Sequence, residues 1–126
     1  MTGDVGLSRI LLVISAGGIA GSLARYGLAE AVPHGTGGFP WATFATNMLG
    51  CCAIGVLLAR LRPNSHPLLR PFLGTGVLGG FTTFSTFAVE TERLLPDHAT
   101  TALVYFFGTL AAALVATWIG DRVASR

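Results

Sequence analysis

The chain has 126 residues, 52% of them hydrophobic and only 11% charged, with a formal net charge of +2. A soluble domain carries about 25% charged residues, so a water-soluble globular fold is excluded, and the length leaves room for one membrane domain. Every basic residue is Arg, and none sits in a basic cluster interleaved with aromatics, which excludes a nucleic-acid surface.

After a short polar-leaning lead, Met1 to Ser8, the first apolar span runs from about Leu7 to Ala29. It contains Gly and Ser and lacks a small-residue cleavage site followed by a soluble chain, so it reads as a retained span and not a removed signal peptide. Gly17, Gly21 and Arg25 are spaced by four and share one face, where Gly17 and Gly21 let another backbone approach closely. Arg25 near the span's end has two readings. It snorkels to the headgroups, or it is a structural cation that caps a neighbouring helix or biases an entrance towards anions.

Val32 to Pro40 is a Pro- and Gly-rich loop in which His34 reads as a solvated residue. The second span, about Trp41 to Ala59, opens on an interfacial aromatic. Thr43, Asn47 and Gly50/Cys51 make a narrow polar and small stripe along it. An unpaired Asn47 amide near mid-span would cost roughly 1–3 kcal/mol. Asn47 therefore either glues two helices or donates to a partly dehydrated anion. Adjacent Cys51 and Cys52 point about 100° apart and cannot easily bridge; they read as small apolar residues, with no soft-metal site.

A loop from Arg60 to Arg70 leads to the third span, about residues 71–93, which has no charge between Arg70 and Glu90. Its centre is Gly79-Gly80-Phe81-Thr82-Thr83-Phe84-Ser85-Thr86-Phe87. Two adjacent glycines weaken a helix by roughly 1 kcal/mol each relative to Ala, and the hydroxyls that follow compete for backbone bonds. A helix break at membrane depth is expected, tolerated only where protein or a watery cavity surrounds it. Freed carbonyls there are hard oxygen ligands and freed N–H groups favour anions; the alternative is a packing kink. Phe84 and Phe87, spaced by three, offer positive ring edges or merely lipid and core contact, with Ser85 and Thr86 hydroxyls beside them. Glu90, Glu92 and Arg93 return the chain to the interface. The fourth span, about Ala99 to Gly120, places Tyr105 and Thr109 on one face and a small-residue stripe of Gly108, Ala112 and Ala116 for close packing.

The fold class is an all-α, multi-pass membrane protein of the cell membrane, with four transmembrane helices and the third broken mid-membrane. Its interior polar inventory is Arg25, Asn47, Thr82, Thr83, Ser85, Thr86, Tyr105 and Thr109. With no carboxylate, His or Lys in mid-membrane, proton-coupled transport lacks its titratable group, and an enzyme lacks its acid, base or activated nucleophile. Neutral donors and aromatic edges suit passive movement of a small hydrated anion. One thin bundle suggests a homo-oligomer, most simply a dimer.

The nine-residue motif resembles the signature of the Fluc (CrcB) family of fluoride channels. Gly17-Gly18-x-x-Gly21-x-x-x-Arg25-Tyr26, Thr43-Phe44-x-x-Asn47-x-x-Gly50 and Tyr105-x-x-x-Thr109 resemble the family's first, second and fourth helices. Ala113 departs from a common Gly. The resemblance implies a channel that exports cytoplasmic fluoride passively and so lowers its toxicity. It implies an antiparallel, dual-topology homodimer with two narrow pores, and a structural, untransported Na+ at its centre held by the carbonyls of Gly79 and Thr82. Asn47 would donate to fluoride, Phe84 and Phe87 would present ring edges, Ser85, Thr86 and Thr109 would line a polar track, and Tyr105 would stand nearby. Against simple dual topology, Arg9, Arg60, Arg62, Arg70, Arg122 and Arg126 fall on one side of the membrane and only Arg25 and Arg93 on the other. A heterodimer with an oppositely oriented paralogue stays open. Two other classes compete. A small four-span multidrug-type exporter needs a carboxylate in its first helix, where Glu30 at the end is a poor candidate, and a non-transporting subunit would carry no flux.

Overall fold

Apolar runs bounded by Pro, Gly and charge become four helical stretches, each long and apolar enough to cross a membrane: Leu7–Ala31, Trp41–Arg60, Arg70–Leu94 and Ala99–Ala124. The computed structural model describes residues 5–35 and 37–126. The first half of the polar lead and Thr36 of the first loop lie outside them. Among the described residues there is no strand, so the protein is all-helical, and the four spans make it a multi-pass membrane protein.

Helix α1 (Leu7–Ala31) stops one residue before Val32-Pro33, and α2 (Trp41–Arg60) stops just ahead of Arg62-Pro63. A residue before proline is pushed out of the helical region, which ends both helices where they are needed. The third stretch is composite. Residues Arg70–Leu78 form a wide π-helix with Pro71 in its first turn, and the amide of Gly79 donates to the carbonyls of both Gly74 and Gly76. It runs on as the short α3 (Gly79–Phe81), after which Thr82 is extended at φ −77°, ψ 157°. The chain resumes as α4 (Ser85–Leu94), and after a short connection α5 (Ala99–Ala124) completes the bundle.

The helices pack as two pairs. α1 lies along the π-helix and α3, and α2 lies along α5, with α4 leaning on α5. Both pairs close backbone to backbone. A Cβ at Gly21 would fall on the Val77 carbonyl and 2.8 Å from the Phe81 nitrogen, and one at Gly17 would lie 2.6 Å from the Phe72 carbonyl. In the second pair, Gly55 meets the Thr117 backbone and Gly120 meets the Cys52 carbonyl. Such contact is the main adhesive between helices in lipid, where no hydrophobic drive separates protein from solvent.

The structure refines two expectations from the sequence. On the stripe of Gly108, Ala112 and Ala116, a Cβ at Gly108 meets open space within the single chain, and it is Gly120 that makes the close approach of α5 to α2. The glycine pair is also not itself the point of departure from helix. The chain stays helical through Gly79 and Gly80 and leaves at Thr82. Gly80 is small because the backbone of Gly18 lies against it, within 2.5 Å of where a Cβ would stand.

A buried apolar cluster, Phe87, Leu94, Ala102 and Tyr105, sits between α4 and α5 and is backed by Phe39, Phe44 and Phe106. Large side chains such as Leu12, Leu23, Leu103 and Leu114 stand exposed, as side chains facing lipid must.

Candidate functional site

The three residues Thr82, Thr83 and Phe84 join α3, which packs on α1, to α4, which packs on α5. Leaving the helix here strands backbone groups, and several are met in a specific way. The Thr83 N–H donates to Asn47 Oδ1 at 2.9 Å, and Asn47 Nδ2 donates back to the Thr83 carbonyl at 3.0 Å. The Thr83 hydroxyl accepts from the Thr86 N–H at 3.1 Å, acting as a local cap for the start of α4. The Thr82 hydroxyl donates to the Leu78 carbonyl at 2.9 Å.

The carbonyls of Gly79, Phe81 and Thr82 are left without the donors a continuous helix would supply. The amide that would reach Gly79 O belongs to Thr83 and is turned to Asn47. The amide that would reach Thr82 O belongs to Thr86 and is turned to the Thr83 hydroxyl. Gly80 is treated differently. Its carbonyl accepts from Arg25 Nε at 3.2 Å and from Ser22 Oγ at 3.4 Å. Arg25 thus sets its guanidinium on a carbonyl of α3. Gly17 and Gly21 hold α1 close enough for that reach.

Beside the link lies an open hollow of about 220 Å³, lined by Asn47, Thr83, Phe84, Phe87 and Thr109, with Cys51, Thr82, Leu110 and Ala113 at its edge. Phe87 is 2% exposed and Phe84 74% exposed, with ring centroids 5.8 Å apart. The Thr109 hydroxyl is buried and has no hydrogen-bond partner. An unpaired buried hydroxyl costs about 1–3 kcal/mol. Ser85 and Thr86 lie on α4 outside the lining of this hollow; Ser85 is exposed and Thr86 half-buried, with the Thr83 and Ser85 hydroxyls 3.4 Å apart.

Tyr105 is brought elsewhere. It is fully buried, and its hydroxyl donates to Glu90 Oε2 at 2.7 Å while the Thr43 hydroxyl donates to Glu90 Oε1 at 2.9 Å. Glu90 is thus a half-buried carboxylate gripped from two other helices, and not a freely solvated end-of-span charge as the sequence suggested. The signal was its spacing. Glu90 follows Phe87 by three, so it continues the inward face of α4.

The CrcB family model, described as CrcB-like protein, Camphor Resistance, matches residues 12–121. The chain belongs to the CrcB family. Among its relatives, "Fluoride-specific ion channel FluC 1" of Streptomyces coelicolor is 46% identical over 121 residues, 93% of this chain and 78% of that protein. "Fluoride-specific ion channel FluC" of Thermus thermophilus is 44% identical over 122 residues, covering 94% and 95%. That of Chlorobaculum tepidum is 46% identical over 117 residues, covering 90% and 93%.

Proposed function

We propose that this CrcB protein is a fluoride-specific channel that lets cytoplasmic fluoride leave passively, and that it is not an enzyme. The reading is supported by the relatives' names and by one observation above all, the buried Thr109 hydroxyl left unpaired beside a phenylalanine pair. A small, strongly hydrated anion needs hydrogen-bond donors and positive ring edges to replace its water, and no full positive charge that would hold it. Asn47 retains one amide hydrogen after pairing with Thr83, and Thr109 retains its hydroxyl. Phe84, Phe87, Ser85 and Thr86 complete a track along α4, and Tyr105 holds Glu90 at one end of it.

The working unit on this reading is an antiparallel homodimer in the cell membrane. Phe84 and Gly79 are exposed on the single chain, which suits a second copy against the break in the third span. A structural Na+ fits the chemistry of this face, since the Gly79 and Thr82 carbonyls are hard oxygens released from helical donors. Two copies would offer four such oxygens, and the ion would supply a fixed positive charge that links the subunits. The distribution of arginine favours a second arrangement, pairing with an oppositely oriented paralogue. With Arg25 engaged on Gly80, six arginines on one side face only Arg93 on the other.

The deciding experiment is fluoride efflux from liposomes carrying the purified protein, with chloride as control. Rapid fluoride-selective efflux is expected, falling at least tenfold in Asn47→Ala and Phe84→Ala. Equal chloride efflux, or none from the protein co-expressed with a paralogue, would end the channel reading. Flux that appears only on co-expression would select the heterodimer.

A further inference from the structure

A second hollow lies on the far side of α2 from the break in the third span. It is a groove of about 520 Å³ between α2 and the π-helix, with Leu49, Val56 and Leu57 on one wall and Leu73 and Val77 on the other. The space is left because α2 touches the π-helix far less than α1 does. Leu49 and Val56 are exposed, so the groove opens onto the surface of the bundle. Asn47, Cys51 and Ile54 line the hollows beside the break, whereas Leu49, Ala53, Val56 and Arg60 line this one. At about 3.6 residues per turn the two sets are centred roughly 150° apart on α2. A second copy seated on the break would leave this face to the bilayer.

The groove is apolar along its walls and ends on a cation. Arg60, the last residue of α2, is the one charged group among the described residues of its lining. Arg62 and Arg70 stand in the connection at the same end, and no Asp or Glu occurs between Glu30 and Glu90. From Leu49 to Arg60 the helix rises about 16 Å. One leaflet of the hydrocarbon core is about 15 Å deep. The groove therefore has the length of a single leaflet, with its cation at the level of the headgroups.

The geometry points to a binding site for one anionic phospholipid, with an acyl chain laid along the groove and its phosphate on the Arg60 guanidinium. Basic pockets between transmembrane helices hold anionic headgroups, and a guanidinium matches a phosphate with two parallel N–H bonds. Lipid tails are as apolar as leucine, so the chain gains packing contacts and not escape from water, and the choice of lipid rests on the headgroup. A phosphocholine headgroup brings its own cation against Arg60. Once seated, the chain covers Val77 and Leu78, just before the glycine pair, and braces the π-helix on a side that α1 leaves open. The site stands independently of the channel reading.

The test titrates the purified protein in neutral detergent with dioleoyl phosphatidylglycerol or dioleoyl phosphatidylcholine, and reads bound lipid and oligomer mass by native mass spectrometry. Phosphatidylglycerol is expected to bind about fivefold more tightly than phosphatidylcholine. Arg60→Gln should abolish that preference. Arg126→Gln, at the same end of the bundle but on the tail after α5, should keep it. Ala53→Phe, which fills the groove, should release both lipids and leave the oligomer mass unchanged. Equal binding of the two lipids by the parent, an Arg60→Gln protein that keeps the preference, or an Arg126→Gln protein that loses it as fully overturns the site. Loss of the oligomer in Ala53→Phe would place a second copy in the groove and overturns it as well. Arg60 is exposed, so its variant stays folded and decides the matter should Ala53→Phe fail to fold.

Discussion

The two sides of this bundle are built by opposite means. Where α1 meets the π-helix and α3, side chains are nearly absent and backbones touch through Gly17, Gly21, Gly76 and Gly80. Where α2, α4 and α5 meet, the space is filled by hydroxyls, an amide, a carboxylate and stacked aromatics. The first side has no room to rearrange and can hold an irregular segment in place. The second has donors to offer. A membrane protein of this size has little interior, and dividing it between a rigid wall and a chemical wall lets one short link be both fixed and functional.

The largest expected effect comes from breaking the rigid side. Gly21→Val would drive a branched side chain into the Val77 carbonyl, and a loss of about 3 kcal/mol or failure to fold is expected, read as the melting temperature and size-exclusion profile in detergent. Survival with full stability would show that the close approach is not structural. Next is Asn47→Ala, which leaves the N–H and C=O of Thr83 unpaired. It should cost about 2–3 kcal/mol as well as the flux. Tyr105→Phe removes one charge-assisted bond to Glu90 and should cost about 1.5–2 kcal/mol. A null result there would place Glu90 in water.

Thr109→Val sharpens the contrast in the other direction. It deletes a buried hydroxyl that nothing satisfies, so stability should hold or rise by about 1 kcal/mol while fluoride efflux falls. Loss of stability instead would mean that the hydroxyl has a structural partner in the assembled protein. The smallest effect is Gly108→Ala, within about 0.5 kcal/mol for the single chain, since its neighbourhood is open. Destabilisation of a purified dimer would identify Gly108 as a subunit contact.

Much of this was readable from residue order. Asn47 in an apolar run had to be paired, and spacing by four placed Gly17, Gly21 and Arg25 on one face against a neighbour. Other features were not. The glycine pair was read as weak helix, but a glycine also permits contact, and Gly80 serves contact with Gly18. The π-helix was invisible because its residues carry the same apolar pattern as an α-helix. Glu90 was misread because charge at a span's end ordinarily marks water. Only the positions of Thr43 and Tyr105, on helices distant in sequence, reveal that its carboxylate is enclosed.

The pair of bonds between Asn47 and Thr83 has a further meaning. A carboxamide is a peptide group without a chain, and it bonds both polar groups of one residue as the opposite residue does across an antiparallel sheet. This protein thus contains one rung of sheet whose second strand is a single side chain. That is how Thr83, just outside the helix, keeps both of its polar groups paired. Asp lacks the donor, Leu lacks both groups, and Gln is one methylene too long, so the rung specifies asparagine.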